Sequence, residues 1–376
     1  MPQINNMAPR QALTGTRLLA TLALVTISAF SFWTMRIRAA TEGFPVGFNE
    51  DVFERKLLAD GTPLKTAYTR ISSVDNVLSM LVAAFIPGSA GWLPEFQAQQ
   101  IYFLAQFSAM VAVMTVESHR VRNQGRWIRF AGVVAAVYQC FGAAVILPLY
   151  CMTFVWTSGK DGYFAAGRQV RNSGVLLPAV VLGYVLPTAL MFYPWSNILL
   201  CQWCAAIWQA APLYPNLLVY LFSLGGTAKA RSKHSLPDDV GHVKRLCALT
   251  AVLSACSHVG LLYVSMRSET STLTILSSIL LPEEALRMKD TANGLLWIFQ
   301  WDFFGAFAAA LLWSWVSVVE VRCTSGKGQS SESLIAALSI GVLTLLGGPG
   351  TALSAVWYWR ETEMAASGPS GRVKAT

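Results

Sequence analysis

The chain has 376 residues, of which 54% are hydrophobic and 13% charged, with thirteen tryptophans and a formal net charge of +8. Together with a mean hydropathy of +0.47, that composition excludes an ordinary soluble domain. The basic excess does not point to nucleic acid, because the lysines and arginines lie in short connections beside apolar runs, where the positive-inside rule accounts for them.

Apolar runs long enough to span a hydrocarbon core recur along nearly the whole chain. In order, spans are expected near Arg17–Trp33, Val74–Ala90, Gln99–Val116, Phe130–Trp156, Val175–Tyr193, Ile198–Leu224, Leu246–Met266, Leu295–Val319 and Ser333–Trp359. The fold class is therefore an all-α polytopic transmembrane helix bundle with eight or nine spans. The first run, with Arg10 and Arg17 ahead of an apolar core, has signal-peptide character. With so many spans following, it is expected to stay as an anchor. Residues 1–360 are expected to form one multi-pass domain, and 361–376, with Gly368, Pro369, Ser370 and Gly371, a disordered tail.

The charge rule constrains this list. Arg120, Arg122, Arg126 and Arg129 mark one cytosolic connection, and Lys229, Arg231, Lys233, Lys244 and Arg245 another. Three intervening spans would place them on opposite faces. Pro178, Pro187, Pro194, Pro212 and Pro215 interrupt the region from Gly174 to Leu224, so a re-entrant segment there resolves the conflict and leaves eight crossings.

Two polar connections stand out. Residues 36–70 have turn chemistry at Gly43-Phe-Pro-Val-Gly47 and Asp60-Gly-Thr-Pro63, with a short helix capped by Asn49 expected between, placed to cover a membrane-facing cavity. Residues 267–293 carry Pro282 to Lys289, which reads as an amphipathic interfacial helix. Gly347-Gly-Pro349-Gly350 marks a kink in the last span. The seven cysteines are an odd number and six of them lie in apolar stretches, so no disulfide framework is expected. Cys201-Gln-Trp-Cys204 lacks a second pair and is assigned to packing, with no metal site.

Few strongly polar side chains remain within the spans. Gln99, Tyr102, Gln106, Val113 and Glu117 fall close to one helical face, which can line a cavity or bond to neighbouring helices. Glu117 opens Glu117-Ser-His119-Arg120, where an ion pair with Arg120 one turn away competes with a chemical role. Asp75 and Asn76 sit in what reads as the first turn of a helix, with the same ambiguity. His258 is expected to be a packed, hydrogen-bonded histidine.

Asp302 differs from these. It lies inside its span, in Trp297-Ile-Phe299-Gln-Trp301-Asp302-Phe303-Phe304, with no basic residue one turn away on the same helix. An acid at the centre of a bilayer helix costs roughly 2.5–3.5 kcal/mol, which makes it a functional candidate by default. Desolvation favours the neutral carboxyl, the form that can give a proton to an epoxide oxygen or an alkene. Phe299 shares its face, so any further stabilising rings must come from other spans. Hydrogen bonding to Gln139 or Gln202 is the structural alternative. Paired Asp-rich motifs for binding a diphosphate through magnesium are missing, which disfavours ionisation of a prenyl diphosphate.

The segments Thr62–Tyr68 and Ser72–Phe85, with Glu117-Ser-His-Arg120 and Gln300-Trp-Asp-Phe303, resemble the integral membrane terpene cyclases of fungal meroterpenoid pathways, of the ascochlorin/ascofuranone and macrophorin type. The resemblance runs from about Pro63 to the last span. It implies an enzyme of the endoplasmic reticulum membrane that protonates a terminal epoxide or alkene of a farnesylated phenol or quinone, using neither metal nor cofactor. Its partners would be that lipophilic substrate and the bilayer. On this reading Asp302 is the general acid, and Glu117 and Asp75 are alternative acids or relay members. Phe299, Trp301, Tyr102, Gln106, Gln139 and Asn76 would contact substrate. A proton-coupled transporter, or a receptor or scaffold with structural acids, is the alternative.

Overall fold

The computed structural model describes residues 7–158, 168–225, 239–324 and 330–366, and every regular element among them is helical. Five stretches are long and apolar enough to cross a membrane: Thr14–Glu42, Pro94–His119, Ser173–Met191, Asp239–Arg267 and Thr291–Cys323. Large apolar side chains such as Leu18, Leu22, Val252, Val259, Leu338 and Leu345 remain exposed on the outer helices. Such a surface suits lipid, not water.

Five is fewer than hydropathy alone suggested, and the geometry shows why. The first helix, α1 (Met7–Phe32), does not stop near Trp33 but passes through a π-helical turn (Trp33–Ile37) into α2 (Arg38–Glu42). The connection expected from residue 36 thus begins after Glu42. Asn49 precedes a π-helical turn (Glu50–Arg55) without capping it through its side chain. Next come α3 (Ser72–Ser89) and α4 (Pro94–His119).

The run expected as a single span over Phe130–Trp156 is two helices, α5 (Ala131–Phe141) and α6 (Ala143–Ser158), broken at Gly142. The proline-rich region divides into α7 (Leu176–Val180), a π-helical turn (Val181–Val185), α8 (Leu186–Met191), α9 (Ile198–Trp208) and α10 (Tyr214–Gly225). The last two are too short to span a bilayer alone. Beyond them lie α11 (Asp239–Arg267) and α12 (Thr272–Leu280). The interfacial helix expected at Pro282–Lys289 is a run of turns, and the helix of that connection is α12, just before it.

The long α13 (Thr291–Thr324) is followed by α14 (Ser330–Gly347) and α15 (Pro349–Ala366). These last two are not one kinked span. The chain reverses at Gly348 (φ +85), where Gln106 fills the space a side chain would need, and Gly350 N–H donates to Gln106 Oε1 at 2.8 Å. Glu332 and Trp359, at the far ends of the hairpin, consequently line one groove. The helix carries residues 361–366, assigned by composition to the tail, and the remainder of that tail lies outside the described residues, as do Lys229, Arg231 and Lys233.

Two helices form the centre. α4 packs on α3, α11, α13 and α15, and α13 on α1, α4, α6, α14 and α15. Burial nearly all round lets α4 carry Gln99, Gln100, Gln106, Thr115 and Glu117 with no polar stripe facing lipid. Gly142 makes the α5–α6 break possible. Its φ of 97° and ψ of 143° lie in a region open essentially to glycine, and a Cβ there would sit 2.8 Å from Met35 Cε and 3.1 Å from Asp302 Oδ1. Gly142→Ala should therefore cost about 1–3 kcal/mol from the backbone alone. Thermal unfolding in detergent checks this, and an unchanged midpoint would show that the break relaxes freely.

Candidate active site

A cavity of about 290 Å³ opens where the π-helical turn after α1 meets α2, α3, α4, α5, the start of α6, α9 and α13. Asp302 lies in its wall, as do Phe299 from the turn before it, Gln139 from α5, and Arg36 from the π-helical turn after α1. The remaining rings come from elsewhere: Phe44 and Phe48 from the connection after α2, Phe85 from α3, Phe103 and Phe107 from α4, Tyr138 from α5, and Trp208 from α9.

These rings hold one another edge to face, the arrangement their quadrupoles favour. Phe85 meets Phe299 with centroids 4.8 Å apart, and Phe107 meets Tyr138 at 5.5 Å. Phe103 packs against both Phe107 and Phe303. The outcome is an apolar chamber with aromatic walls and one polar corner.

That corner is built from the helix break. Asp302 Oδ1 accepts the backbone N–H of Ala144 at 2.7 Å, in the first turn of α6, where an amide has no partner within its own helix. The two last carbonyls of α5 are covered by Arg36, which donates from Nη2 to Cys140 O at 3.1 Å and from Nε to Phe141 O at 3.3 Å. A carboxyl at the start of one half-helix and a guanidinium at the end of the other also suit the two helix dipoles. Asp302 and Arg36 line the same cavity.

The connection after α2 covers another side of the cavity through Phe44, Pro45, Phe48 and Asn49. It is fastened to the first turn of α13: Thr291 Oγ1 donates to Val46 O at 2.6 Å, and Pro45 packs against Gly294. Four charges close the seam. Arg38 donates to Glu42 and to both oxygens of Glu284, while Arg287 pairs with Glu42 and Glu284.

The other residues singled out in the sequence lie elsewhere. Glu117 is fully buried in an ionic cluster with Arg120 and Arg360, and accepts from Arg360 Nη1 at 2.8 Å, Arg120 Nε at 3.1 Å, Asn123 Nδ2 at 3.0 Å and Trp357 Nε1 at 3.2 Å. Arg120 also bonds the buried Glu361. So saturated a carboxylate has no free edge to offer a substrate, and it does not line this cavity. Asp75 accepts from the backbone of Tyr68, Thr69 and Arg70 and from the Thr69 hydroxyl, shaping the entry to α3.

Gln106 is committed to Ser254 O, Ser257 Oγ and Gly350. Tyr102 OH meets His258 Nδ1 at 2.9 Å, and His258 Nε2 meets Leu345 O at 3.1 Å. Trp301 packs edge-on against Phe30, and Asn76 is exposed. Of the nine proposed site residues, Asp302, Phe299 and Gln139 line the cavity and the other six do not. Gln139 donates to the backbone and side chain of Gln209, both at 3.1 Å, so the glutamine expected beside Asp302 turns toward α9. Arg36 and Tyr138 escaped the sequence reading. The uninterrupted apolar run through Trp33-Thr-Met-Arg36-Ile37 was the available signal that Arg36 is helical, not in a loop.

Removing one partner from a buried ionic cluster leaves an uncompensated charge, which costs about 3–5 kcal/mol. Glu117→Gln should accordingly lower the unfolding midpoint sharply, whereas Asp302→Asn, facing a cavity, should lower it little. Equal midpoints for both variants in a detergent melt would contradict this division of labour.

A family model described as the CtvD domain matches residues 20–365. Terpene cyclase ctvD of Aspergillus terreus is 28% identical over 338 residues, covering 85% of this chain and 93% of that protein. Terpene cyclase ascI of Acremonium egyptiacum is 25% identical over 351 residues, covering 89% of this chain and 90% of that protein. The FAD-dependent monooxygenase verC1 of Penicillium polonicum is 20% identical over 308 residues, covering 81% of this chain but 37% of that protein. No solved structure matches the chain.

Proposed function

This chain belongs to the CtvD-domain family, and from that premise we propose that it is a membrane-bound terpene cyclase whose reaction is started by a proton from Asp302. Relatives named as terpene cyclases match it over nearly their full lengths, which supports the enzyme class. The observation that carries the mechanism is the position of Asp302, the one carboxyl among the described residues in the wall of an aromatic cavity, with Oδ1 already engaged by Ala144 N–H. With Oδ1 accepting, the acid proton belongs on Oδ2. On this reading Asp302 is the group that gives up the proton, and an apolar wall protects the carbocation that follows.

The substrate on this reading is a farnesylated phenol or quinone, lipophilic enough to enter from the bilayer. Protonation of a terminal epoxide oxygen opens the C–O bond as a neighbouring alkene supplies the electron pair for the new ring bond. Of epoxide and alkene, the epoxide is favoured. Flavin-dependent oxygenation of an alkene yields an epoxide, and a relative named as an FAD-dependent monooxygenase contains a stretch similar to most of this chain. The faces of Phe85, Phe103, Phe107, Tyr138 and Phe299 attract the migrating positive charge. Loss of a proton from the final cation restores Asp302, so the product is an isomer of the substrate and neither a metal nor a cofactor is consumed. The expected location is the endoplasmic reticulum membrane.

The test is direct. Membranes containing the chain, given a farnesylated phenol bearing a terminal epoxide, should yield a product of unchanged mass. Asp302→Asn should lower the rate by at least about 10²-fold, the lower range for loss of a general acid, while still binding the substrate. Full turnover by Asp302→Asn would remove it as the acid. Failure of the wild type on a broad panel of prenylated phenols and quinones would count against the cyclase itself.

A further inference from the structure

Arg36 is the other charged group of the cavity wall, and its geometry is that of a donor held ready. Nε and Nη2 are fixed on the carbonyls of Phe141 and Cys140, which sets the plane of the guanidinium. Nη1 has no hydrogen-bond partner among the described residues, and the side chain faces the same chamber as Asp302 and Tyr138. A half-exposed guanidinium fixed on two sides, with Nη1 left over at the cavity wall, is placed to donate to a ligand oxygen there.

Charge decides what that ligand atom is. A fixed cation here repels a carbocation formed against it, so the hydrocarbon must lie toward Phe85, Phe103 and Phe107, with an oxygen at the Arg36 corner. The carboxyl that gives up its proton also becomes an anion between the Ala144 amide and this guanidinium.

We propose that Arg36 is a second catalytic residue of the cyclisation, donating a hydrogen bond from Nη1 to the epoxide oxygen that Asp302 protonates. The inference rests on the acid-initiated reading above. In the step, the Asp302 Oδ2 proton passes to the epoxide oxygen and the C–O bond breaks. The alkene π pair forms the new C–C bond, and the oxygen stays on the product as a hydroxyl. As the C–O bond breaks ahead of complete proton transfer, Arg36 stabilises the negative charge developing on that oxygen and then the carboxylate left behind. Deprotonation of the final cation returns a proton to Asp302, so atoms and electrons balance without a co-reactant.

The experiment uses the full chain in membranes and two probes, a farnesylated phenol with a terminal epoxide and the same compound with the alkene in its place. Binding of each is measured for the wild type, Arg36→Met, Arg36→Lys and Asp302→Asn, and turnover of the epoxide is followed in all four. Turnover by Arg36→Ala is compared with and without added guanidinium ion. The wild type should prefer the epoxide over the alkene in binding, and Arg36→Met should bind the two alike. Its turnover should fall by about 10²–10³-fold, as when one oxyanion donor is removed. Arg36→Lys should keep part of both properties, and guanidinium should restore turnover to Arg36→Ala. Asp302→Asn should lose turnover but keep the preference for epoxide. If Asp302→Asn turns over normally, the acid reading fails. If Arg36→Met keeps the epoxide preference, the inference fails on its own. Equal loss of binding for both probes in every Arg36 variant, without guanidinium rescue, would make Arg36 only a clamp on α5 and would also overturn it.

Discussion

The hydrogen bond from Ala144 N–H to the Asp302 carboxyl is the point on which the cavity depends. It exists because the α5–α6 segment is broken at Gly142, and the break can close around Asp302 only because residue 142 has no Cβ to collide with the carboxyl or with Met35. Breaking a helix inside a membrane leaves amides and carbonyls that lipid cannot satisfy. Here Asp302 takes the amide side and Arg36 the carbonyl side. One defect in one helix thus brings a carboxyl, a guanidinium cation and three chain-distant helices to a single corner.

Buried carboxyls meet two different fates in this molecule. Glu117 and Glu361 sit among Arg120 and Arg360 with every side chain excluded from solvent, and the cluster ties α4 to α15. Arg122 also reaches Glu117, and the Glu117 oxygens are occupied by donors, so the cluster's contribution is cohesion. Asp302 has fewer fixed donors and faces open space with aromatic walls. On the proposed reading, that difference in donors is what makes Asp302, and not Glu117, the proton donor.

Much of the outline was legible in the residues. An all-helical, strongly apolar chain follows from composition, and Asp302 stood out because an acid within a span has few innocent explanations. The connection expected over residues 36–70 as a cover for a cavity begins after Glu42 and supplies Phe44, Pro45, Phe48 and Asn49 to the cavity wall. What composition could not reveal were reversals and breaks. The stretch 333–359 is apolar from end to end, yet Gly348 turns it into a hairpin because Gln106, distant in sequence, occupies the bend. Glu117, Gln106 and Tyr102 share a helical face, but their partners lie on α11 and α15, and contacts that distant in the chain have no local signature. Arg36 was hidden for a similar reason: a basic residue at the end of a span reads as a membrane-edge anchor until a facing helix break gives it carbonyls to hold.

The central claim is that the Asp302 carboxyl is neutral when the substrate arrives and carries the proton that starts the reaction. Infrared difference spectroscopy of the membrane-embedded chain, recorded with and without the epoxide probe, reads this state directly. The account predicts a protonated-carboxyl carbonyl band that shifts when the probe binds and is missing from the Asp302→Asn variant. A spectrum in which Asp302 contributes only carboxylate bands, before and after binding, would contradict it.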